Sequence, residues 1–201
     1  MASKHVLVAN LNRPRYRKGE KFSPMFKWIK EQGIILKNVL EVGVYDGGNA
    51  QNILLQFPEI EKFYMIDPWG FEDGVFKKDA QGYGRCLELQ KIFPKIDMTP
   101  YISEEGIPIV IKKIGSVQLD AVYIDSVHNK KCVKMEVAAL WNSIREGGVL
   151  GGHDFTNRFD KETLNNYIIG DMARKYNRVI HLGLQSIHPN ELNNFDWWIV
   201  K

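Results

Sequence analysis

The 201-residue chain has little of several features that would each indicate a particular kind of protein. Its only two cysteines are Cys86 and Cys132, and neither belongs to a C-x-x-C pair or another metal-ligand spacing. It contains no run of about eighteen apolar residues, so we expect no membrane-spanning helix, and its first residues lack the apolar stretch of a signal peptide. These absences predict a cytoplasmic protein with free thiols.

Charge is also weak, because the formal net charge of +3 is too small to predict nucleic-acid binding. Basic residues are nevertheless concentrated in an N-terminal arm over residues 1–22, which Pro14 and Gly19 are expected to keep irregular. The arm is interpreted either as a solvated tail or as a flap that contacts an anionic or sugar-phosphate substrate. No repeat is present, and the length suits one domain over residues 1–201. The oligomeric state stays open, with a homodimer among the options.

Short apolar runs alternate along the chain with stretches of helical spacing. This alternation predicts an α/β fold, with a doubly wound, mostly parallel, seven-stranded sheet. The last two strands are joined by a polar loop without a helix, which predicts an antiparallel edge strand. The expected strands are 39–44, 62–67, 99–102, 120–125, 149–151, 178–182 and 196–200, and the expected helices are 24–32, 50–57, 84–93, 107–114, 133–145 and 161–175.

The first predicted strand runs into a glycine-rich segment, residues 41–48 (EVGVYDGG). Glycines let the backbone pass close to a ligand, although this is not the G-x-G-x-x-G fingerprint of dinucleotide sites. Asp67 ends the second predicted strand twenty residues after Gly47, where a carboxylate can accept both hydroxyls of a ribose. Glu41 lies within its strand, where an unpaired charge is costly. It therefore needs a partner, such as the amides of the glycine loop or a ligand ammonium group.

Together these residues resemble the class I S-adenosylmethionine-dependent methyltransferases, over roughly Val39 to Phe155. Their first motif is an acidic residue followed by x-G-x-x-x-G, and their second is an acidic residue ending strand two. The resemblance implies a Rossmann-like fold and S-adenosyl-L-methionine as cofactor. It implies that the methionine part lies along the glycine loop, with the ribose at Asp67 and the adenine beside Ser103. The implied cofactor-binding residues are Glu41, Gly43, Tyr45, Gly47, Asp67, Pro68, Ser103 and Asp125.

Acidic and imidazole side chains follow the fourth and fifth predicted strands. Asp125 ends the fourth strand, His128 comes three residues later, and His153 and Asp154 end the fifth. Because neighbouring parallel strands end at the same edge of a sheet, we expect these groups to converge over the cofactor. An alcohol acceptor needs a base, a metal or both. Two carboxylates suit Mg²⁺ or Mn²⁺, and an imidazole can take the proton.

The same segments are similar to the metal-dependent O-methyltransferases of the catechol type. They are closer to a branch that acts on sugars and natural products, including macrocin-type and rhamnosyl O-methyltransferases. That branch reads I-D-P-W, D-x-x-H and G-G-x-x-x-G-H-D, which match residues 66–69, 125–128 and 147–154. The resemblance implies a sugar hydroxyl as acceptor, such as one on a deoxysugar like rhamnose in a glycan.

This resemblance implies catalytic roles for Asp125 and His128, and a divalent metal bound by Asp125, Asp154 and His153. Phe155 departs from the catechol pattern, because phenylalanine cannot bind a metal. Either His153, Asn157 or water then fills the vacant ligand place, or the metal is absent.

Other functions are weighed against a sugar O-methyltransferase. The main alternative is a catechol- or phenol-type small-molecule O-methyltransferase. An RNA ribose methyltransferase is disfavoured, because no lysine ends the fourth strand and the net charge is low. The third alternative is a non-catalytic nucleotide-binding Rossmann module.

Residues 68–98 are predicted to form an acceptor-side insertion. Within it, the aromatic segment Trp69–Phe76 either covers the acceptor or packs on the sheet edge.

Overall fold

The computed structural model describes residues 8–10, 23–72, 75–76, 80–126, 130–156, 164–184 and 194–201. Strands and helices alternate along most of this length. The strands are β1 (Val8–Asn10), β2 (Asn38–Val42), β3 (Lys62–Ile66), β4 (Phe71–Glu72), β5 (Val75–Phe76), β6 (Ile96–Thr99), β7 (Leu119–Ile124), β8 (Ile144–Thr156), β9 (Ile180–Leu184) and β10 (Asn194–Val200). The helices are α1 (Pro24–Glu31), α2 (Gly48–Gln56), α3 (Ala80–Ile92), α4 (Ser103–Ile114), α5 (Lys130–Trp141) and α6 (Leu164–Tyr176).

The main sheet has the strand order β1-β9-β10-β8-β7-β2-β3-β6. Strand β10 is antiparallel to β8 and β9, whereas every other neighbouring pair in this sheet is parallel. All seven predicted strands are present, and the predicted doubly wound, mostly parallel Rossmann-like sheet with an antiparallel strand near its edge is confirmed. Among the described residues, β4 and β5 form a separate antiparallel two-stranded sheet.

An eighth strand extends the sheet beyond the seven that the sequence predicts. Residues Val8–Asn10 form β1, parallel to β9, with Val8 opposite Ile180. The expectation of a wholly irregular arm over residues 1–22 is therefore wrong at these three positions. Valine favours extended backbone, and the uncovered edge of β9 offers hydrogen-bonding groups to pair with. The rest of the arm lies outside the described residues.

One strand is displaced from its expected position. The prediction for the third strand is 99–102, but β6 covers Ile96–Thr99. Proline has no N–H to donate to a strand ladder, so Pro100 ends β6. Ile102 is already the N-cap of α4, which begins four residues earlier than predicted.

Apolar side chains pack on both faces of the sheet. One layer lies under α1, α2 and α3, and the other lies under α4, α5 and α6. Trp197 and Trp198 are adjacent on β10 and are each 1% exposed, yet they belong to opposite layers. The two indoles point to opposite faces of the sheet, since successive side chains alternate along a strand. Within the described ranges, no helix combines the length and apolar character needed to cross a membrane.

Candidate active site

The loop that joins β2 to α2 is turned by residues with positive φ. Gly43 has φ 83°, Tyr45 has φ 54° and Gly47 has φ 78°. A Cβ atom on Gly43 would overlap the carbonyl group of Asp125 and lie 2.7 Å from the backbone nitrogen of Ser126. Glycine is therefore required at position 43 both for its conformation and for the close approach of the end of β7.

Asp67 holds this glycine loop in place. Its Oδ2 atom accepts hydrogen bonds from the backbone N–H groups of Val44, at 2.8 Å, and Tyr45, at 2.9 Å. Its Oδ1 atom accepts a further bond from the N–H of Trp69, at 2.7 Å. A carboxylate at the end of β3 thus fixes the turn that follows β2. The sequence prediction gives Asp67 only a ribose-binding role and does not foresee this second one.

Glu41 is 2% exposed, and its partner differs from those expected. Its Oε1 atom accepts a hydrogen bond of 2.7 Å from the side-chain amide of Asn49, while Oε2 is buried with no hydrogen-bond partner among the described residues. Burial raises the pKa of Glu41 to about 8, with smaller contributions from the charges of Asp125 and Asp67, while the Asn49 bond acts in the opposite direction. The carboxyl group of Glu41 is therefore buried next to the glycine loop, and its Oε2 atom has no hydrogen-bond donor among the described residues.

Trp69 and helix α3 both contact the glycine loop at the carbonyl oxygen of Tyr45. The carbonyl oxygen of Tyr45 accepts a hydrogen bond of 2.6 Å from the indole Nε1 of Trp69, and the Sγ atom of Cys86 lies 3.7 Å from the same oxygen. A Cβ on Gly47 would contact Cys86 Sγ at 3.2 Å. Trp69 is 3% exposed, so its side chain is packed within the protein rather than open to an acceptor. The acceptor-side role of residues 68–98 stays a prediction.

Two further predicted cofactor residues lie near the end of β3. Pro68 follows Asp67 directly and is half-buried. Ser103 is the first residue of α4 and lies one turn before Gly106, on the same side of the helix. A Cβ on Gly106 would lie 2.5 Å from the Cγ2 atom of Ile66, the last residue of β3. The start of α4 is therefore packed against the strand that ends in Asp67.

The acceptor-side residues follow β7 and lie on β8. Ile124 pairs with Gly152 in parallel register, so Asp125 and His153 come next on neighbouring strands. Asp125 is exposed and His153 is half-buried. His128 and the side chain of Asp154 lie outside the described residues.

A buried carboxylate that the sequence analysis missed contacts His153. Asp196 on β10 is completely buried and accepts hydrogen bonds from the hydroxyls of Ser23 and Tyr123, the latter at 2.9 Å. The Nδ1 atom of His153 lies 3.3 Å from Asp196 Oδ1. Burial raises the pKa of Tyr123 well above its usual value, and the charge of Asp196 adds to this effect. One signal was available in the sequence, namely a single acid that directly precedes the apolar run 197–200.

The predicted metal ligands are only partly within the described part of the chain. Among the described residues, no group of three His, Cys, Asp or Glu side chains is arranged to hold a metal ion. Asp125 and His153 are in neighbouring positions, but the His153 imidazole already uses Nδ1 towards Asp196. The described donors therefore do not by themselves form a metal site.

A family model described as a methyltransferase domain matches residues 40–155, which is more than half of the chain. The chain belongs to this methyltransferase family. The match begins in β2 and ends in β8, so it spans the glycine loop, Asp67, Asp125 and His153. The prediction of an S-adenosylmethionine-dependent methyltransferase is confirmed at the level of the family. No curated protein matches this methyltransferase in sequence.

Solved structures of other methyltransferases share its fold. The N-methyltransferase NodS from Bradyrhizobium japonicum WM9 has a TM-score of 0.60 at 10% identity, covering 88% of this chain and 92% of NodS. The O-methyltransferase TomG from Streptomyces achromogenes, involved in tomaymycin synthesis and solved in complex with SAM, has a TM-score of 0.64 at 14% identity, covering 89% and 80%. An O-methyltransferase from Bacillus cereus in complex with SAH has a TM-score of 0.60 at 14% identity, covering 89% and 82%. Because N- and O-methyltransferases both match, the fold alone does not decide the acceptor atom.

Proposed function

We propose that this methyltransferase transfers the methyl group of S-adenosyl-L-methionine to a sugar hydroxyl, such as that of a deoxysugar like rhamnose in a glycan. The observation that carries the proposal is a row of groups on four neighbouring strands. Asp67 follows β3, Gly43 follows β2, Asp125 follows β7 and His153 lies on β8. In open α/β sheets, ligands bind at the carboxyl ends of the strands, which is where this row lies.

The first half of the row suits the cofactor. An ionised carboxylate offers about four acceptor positions, so Asp67 can accept from a ribose hydroxyl in addition to its three backbone N–H groups. Glu41 Oε2 is a buried acceptor with no described partner, which fits the ammonium group of the methionine part. A cation there would offset the burial that now raises the pKa of Glu41 to about 8.

The second half of the row suits a hydroxyl acceptor. The sulfonium is an activated methyl donor, so the main task of the protein is to hold donor and acceptor in line. In the transfer, the bond from sulfur to the methyl carbon breaks while the bond from the acceptor oxygen to that carbon forms. We assign the hydroxyl proton to His128, the base implied by the D-x-x-H motif, with Asp125 beside the reacting groups. The products are a methyl ether and S-adenosylhomocysteine.

The proposal contains no step through a metal. In the resemblance, Mg²⁺ or Mn²⁺ would be held by Asp125 and Asp154 and would make the hydroxyl more acidic. The described residues hold no complete set of metal ligands. Whether the reaction requires a metal is therefore tested by removing metal ions in the assay below. For the location of the protein, we propose the reducing cytoplasm, which suits two cysteines, Cys86 and Cys132, that form no disulfide.

The experiment is a transfer assay with S-adenosylmethionine labelled in its methyl group. Methyl α-L-rhamnoside, other simple glycosides, catechol and a primary amine are offered as acceptors, each with and without EDTA. Label on a glycoside supports the proposal, whereas label on catechol alone makes the protein a catechol-type enzyme. Cofactor binding without transfer to any acceptor indicates a non-catalytic binding module. Loss of transfer in EDTA, with recovery on adding Mg²⁺ or Mn²⁺, shows that a metal is required.

A further inference from the structure

A bulge in β8 brings His153 next to the buried Asp196. Phe155 pairs with Phe195 and Gly152 pairs with Trp197, so two residues of β8, His153 and Asp154, lie opposite the single residue Asp196 of β10. Such bulges re-aim side chains and are frequent next to active sites. Here the bulge lies beside Asp125, at the acceptor end of the row.

Asp196 is built into the core to accept hydrogen bonds. It is completely buried, and its three described partners come from three different elements: Ser23 at the start of α1, Tyr123 on β7 and His153 on β8. Ser23 and Tyr123 are themselves buried. A carboxylate that is surrounded only by donors is held in one orientation.

This arrangement bears on the tautomer of the imidazole ring. A carboxylate oxygen accepts hydrogen bonds, so the contact favours hydrogen on Nδ1, the His153 nitrogen that faces Asp196. A neutral ring with hydrogen on Nδ1 has its lone pair on Nε2. The side chain of His153 is 19% exposed, so the ring is not sealed inside the core with Asp196.

We propose that Asp196 is a positioning residue, which holds His153 in the tautomer whose Nε2 atom accepts a hydrogen bond from a hydroxyl of the acceptor next to the one that is methylated. This contact holds the acceptor in line with the methyl group, while His128 takes the proton of the reacting hydroxyl. This role replaces the metal-ligand role that the sequence analysis gives to His153, and it rests on the proposed function. It adds β10 to the row, so that five neighbouring strands contribute to the site.

Four variants separate positioning from mere packing. His153→Asn retains an amide donor near Nδ1 for Asp196 but has nothing in the place of Nε2, whereas His153→Gln can present an amide oxygen near Nε2. Asp196→Asn keeps the shape of the side chain and removes its charge. Tyr123→Phe is the matched control, because it removes a different donor from the same Oδ1 atom and leaves the imidazole untouched.

Transfer kinetics and thermal unfolding are measured for all four variants, with the acceptor that the wild-type enzyme methylates. We expect His153→Asn to unfold like the wild type but to raise the KM for the acceptor about tenfold, with the KM for S-adenosylmethionine unchanged. His153→Gln should recover part of this loss, and Tyr123→Phe should retain the wild-type KM for the acceptor. An unchanged acceptor KM in His153→Asn overturns the inference, and so does an equal rise in Tyr123→Phe.

A spectroscopic measurement needs no acceptor. In the ¹⁵N-labelled wild-type protein above about pH 8, where an ordinary imidazole is neutral, ring nitrogen shifts should show hydrogen on Nδ1 of His153. Asp196→Asn should shift the population towards the Nε2–H tautomer. Hydrogen on Nε2 in the wild type overturns the inference. If no hydroxyl is methylated, the proposed function fails, while these spectra still decide whether Asp196 sets the tautomer.

Discussion

Gly43 and Asp125 touch through their backbones, because a Cβ atom at position 43 would overlap the Asp125 carbonyl group. The loop proposed to bind the cofactor and the strand end proposed to face the acceptor are therefore in direct contact. Any side chain at position 43 would push these two parts of the site away from each other. Position 43 is therefore a point at which a single added methyl group should disturb the site through packing alone.

The first prediction concerns Gly43→Ala. Overlap with the end of β7 and a φ of 83° should together lower the free energy of unfolding by about 3 kcal/mol. Gly33→Ala is the matched control, because Gly33 has φ 67° but no atom lies within 4 Å of the place that its Cβ would take. The free energy of unfolding of Gly33→Ala should fall by only about 1 kcal/mol, because alanine is disfavoured in the left-handed conformation. Urea unfolding of both variants checks this, and equal losses would contradict the packing argument.

The second prediction concerns Asp67→Ala. This change leaves the N–H groups of Val44, Tyr45 and Trp69 without their acceptor and also removes the proposed ribose contact. We expect the Kd for S-adenosylhomocysteine to rise by at least about tenfold, equivalent to about 1.4 kcal/mol. Equilibrium dialysis with labelled ligand measures it. Asp67→Asn keeps one acceptor oxygen, so its Kd for S-adenosylhomocysteine should lie between those of the wild type and Asp67→Ala. An unaltered Kd in both variants would refute the assignment of Asp67 to the cofactor site.

The third prediction is a dependence of stability on pH that arises from Glu41. Its pKa is raised by burial to about 8 in the folded protein, above the ordinary value of 4.5. The folded state therefore binds more protons between these two values, so this contribution to stability is fully present below about pH 4.5 and is lost as the pH rises towards 8. Glu41→Gln removes the titration. Urea unfolding is measured from pH 5 to 9. Over this range the free energy of unfolding of the wild type should fall by on the order of a few kcal/mol relative to that of Glu41→Gln. Parallel plots of unfolding free energy against pH for the two proteins would contradict the prediction.

The fourth prediction concerns His128→Ala. If His128 takes the hydroxyl proton, its loss should lower kcat by about 100-fold or more while leaving the Kd for S-adenosylhomocysteine unchanged. Steady-state transfer kinetics and ligand binding on the same preparation measure both quantities. A variant with wild-type kcat would exclude His128 as the base. A variant that also loses the cofactor would show that His128 has a structural role instead.

Much of this architecture follows from local sequence signals. The glycine loop, the acid at the end of β3 and the alternation of strands with helices are each encoded within a few residues, and they predict the sheet and the place of the cofactor. The sequence also assigns Trp197 and Trp198 to opposite faces, because side chains alternate along a strand. These features depend on backbone geometry that neighbouring residues determine.

The interactions that the sequence did not reveal join residues far apart in the chain. Asp196 lies within hydrogen-bonding distance of Ser23, Tyr123 and His153, which are 173, 73 and 43 positions away in the sequence. The bulge that sets His153 opposite Asp196 depends on the pairing register of β8 and β10. No local pattern specifies the register between two strands that bring together residues such as His153 and Asp196, which are 43 positions apart.

The most direct test of the central claim is a crystal structure of the protein with S-adenosylhomocysteine. We expect the ligand at the carboxyl ends of β2 and β3, with a ribose hydroxyl at Asp67, its ammonium group towards Glu41 and its sulfur facing the side of Asp125 and His153. A ligand bound elsewhere on the molecule, or no bound ligand at saturating concentration, would contradict the account.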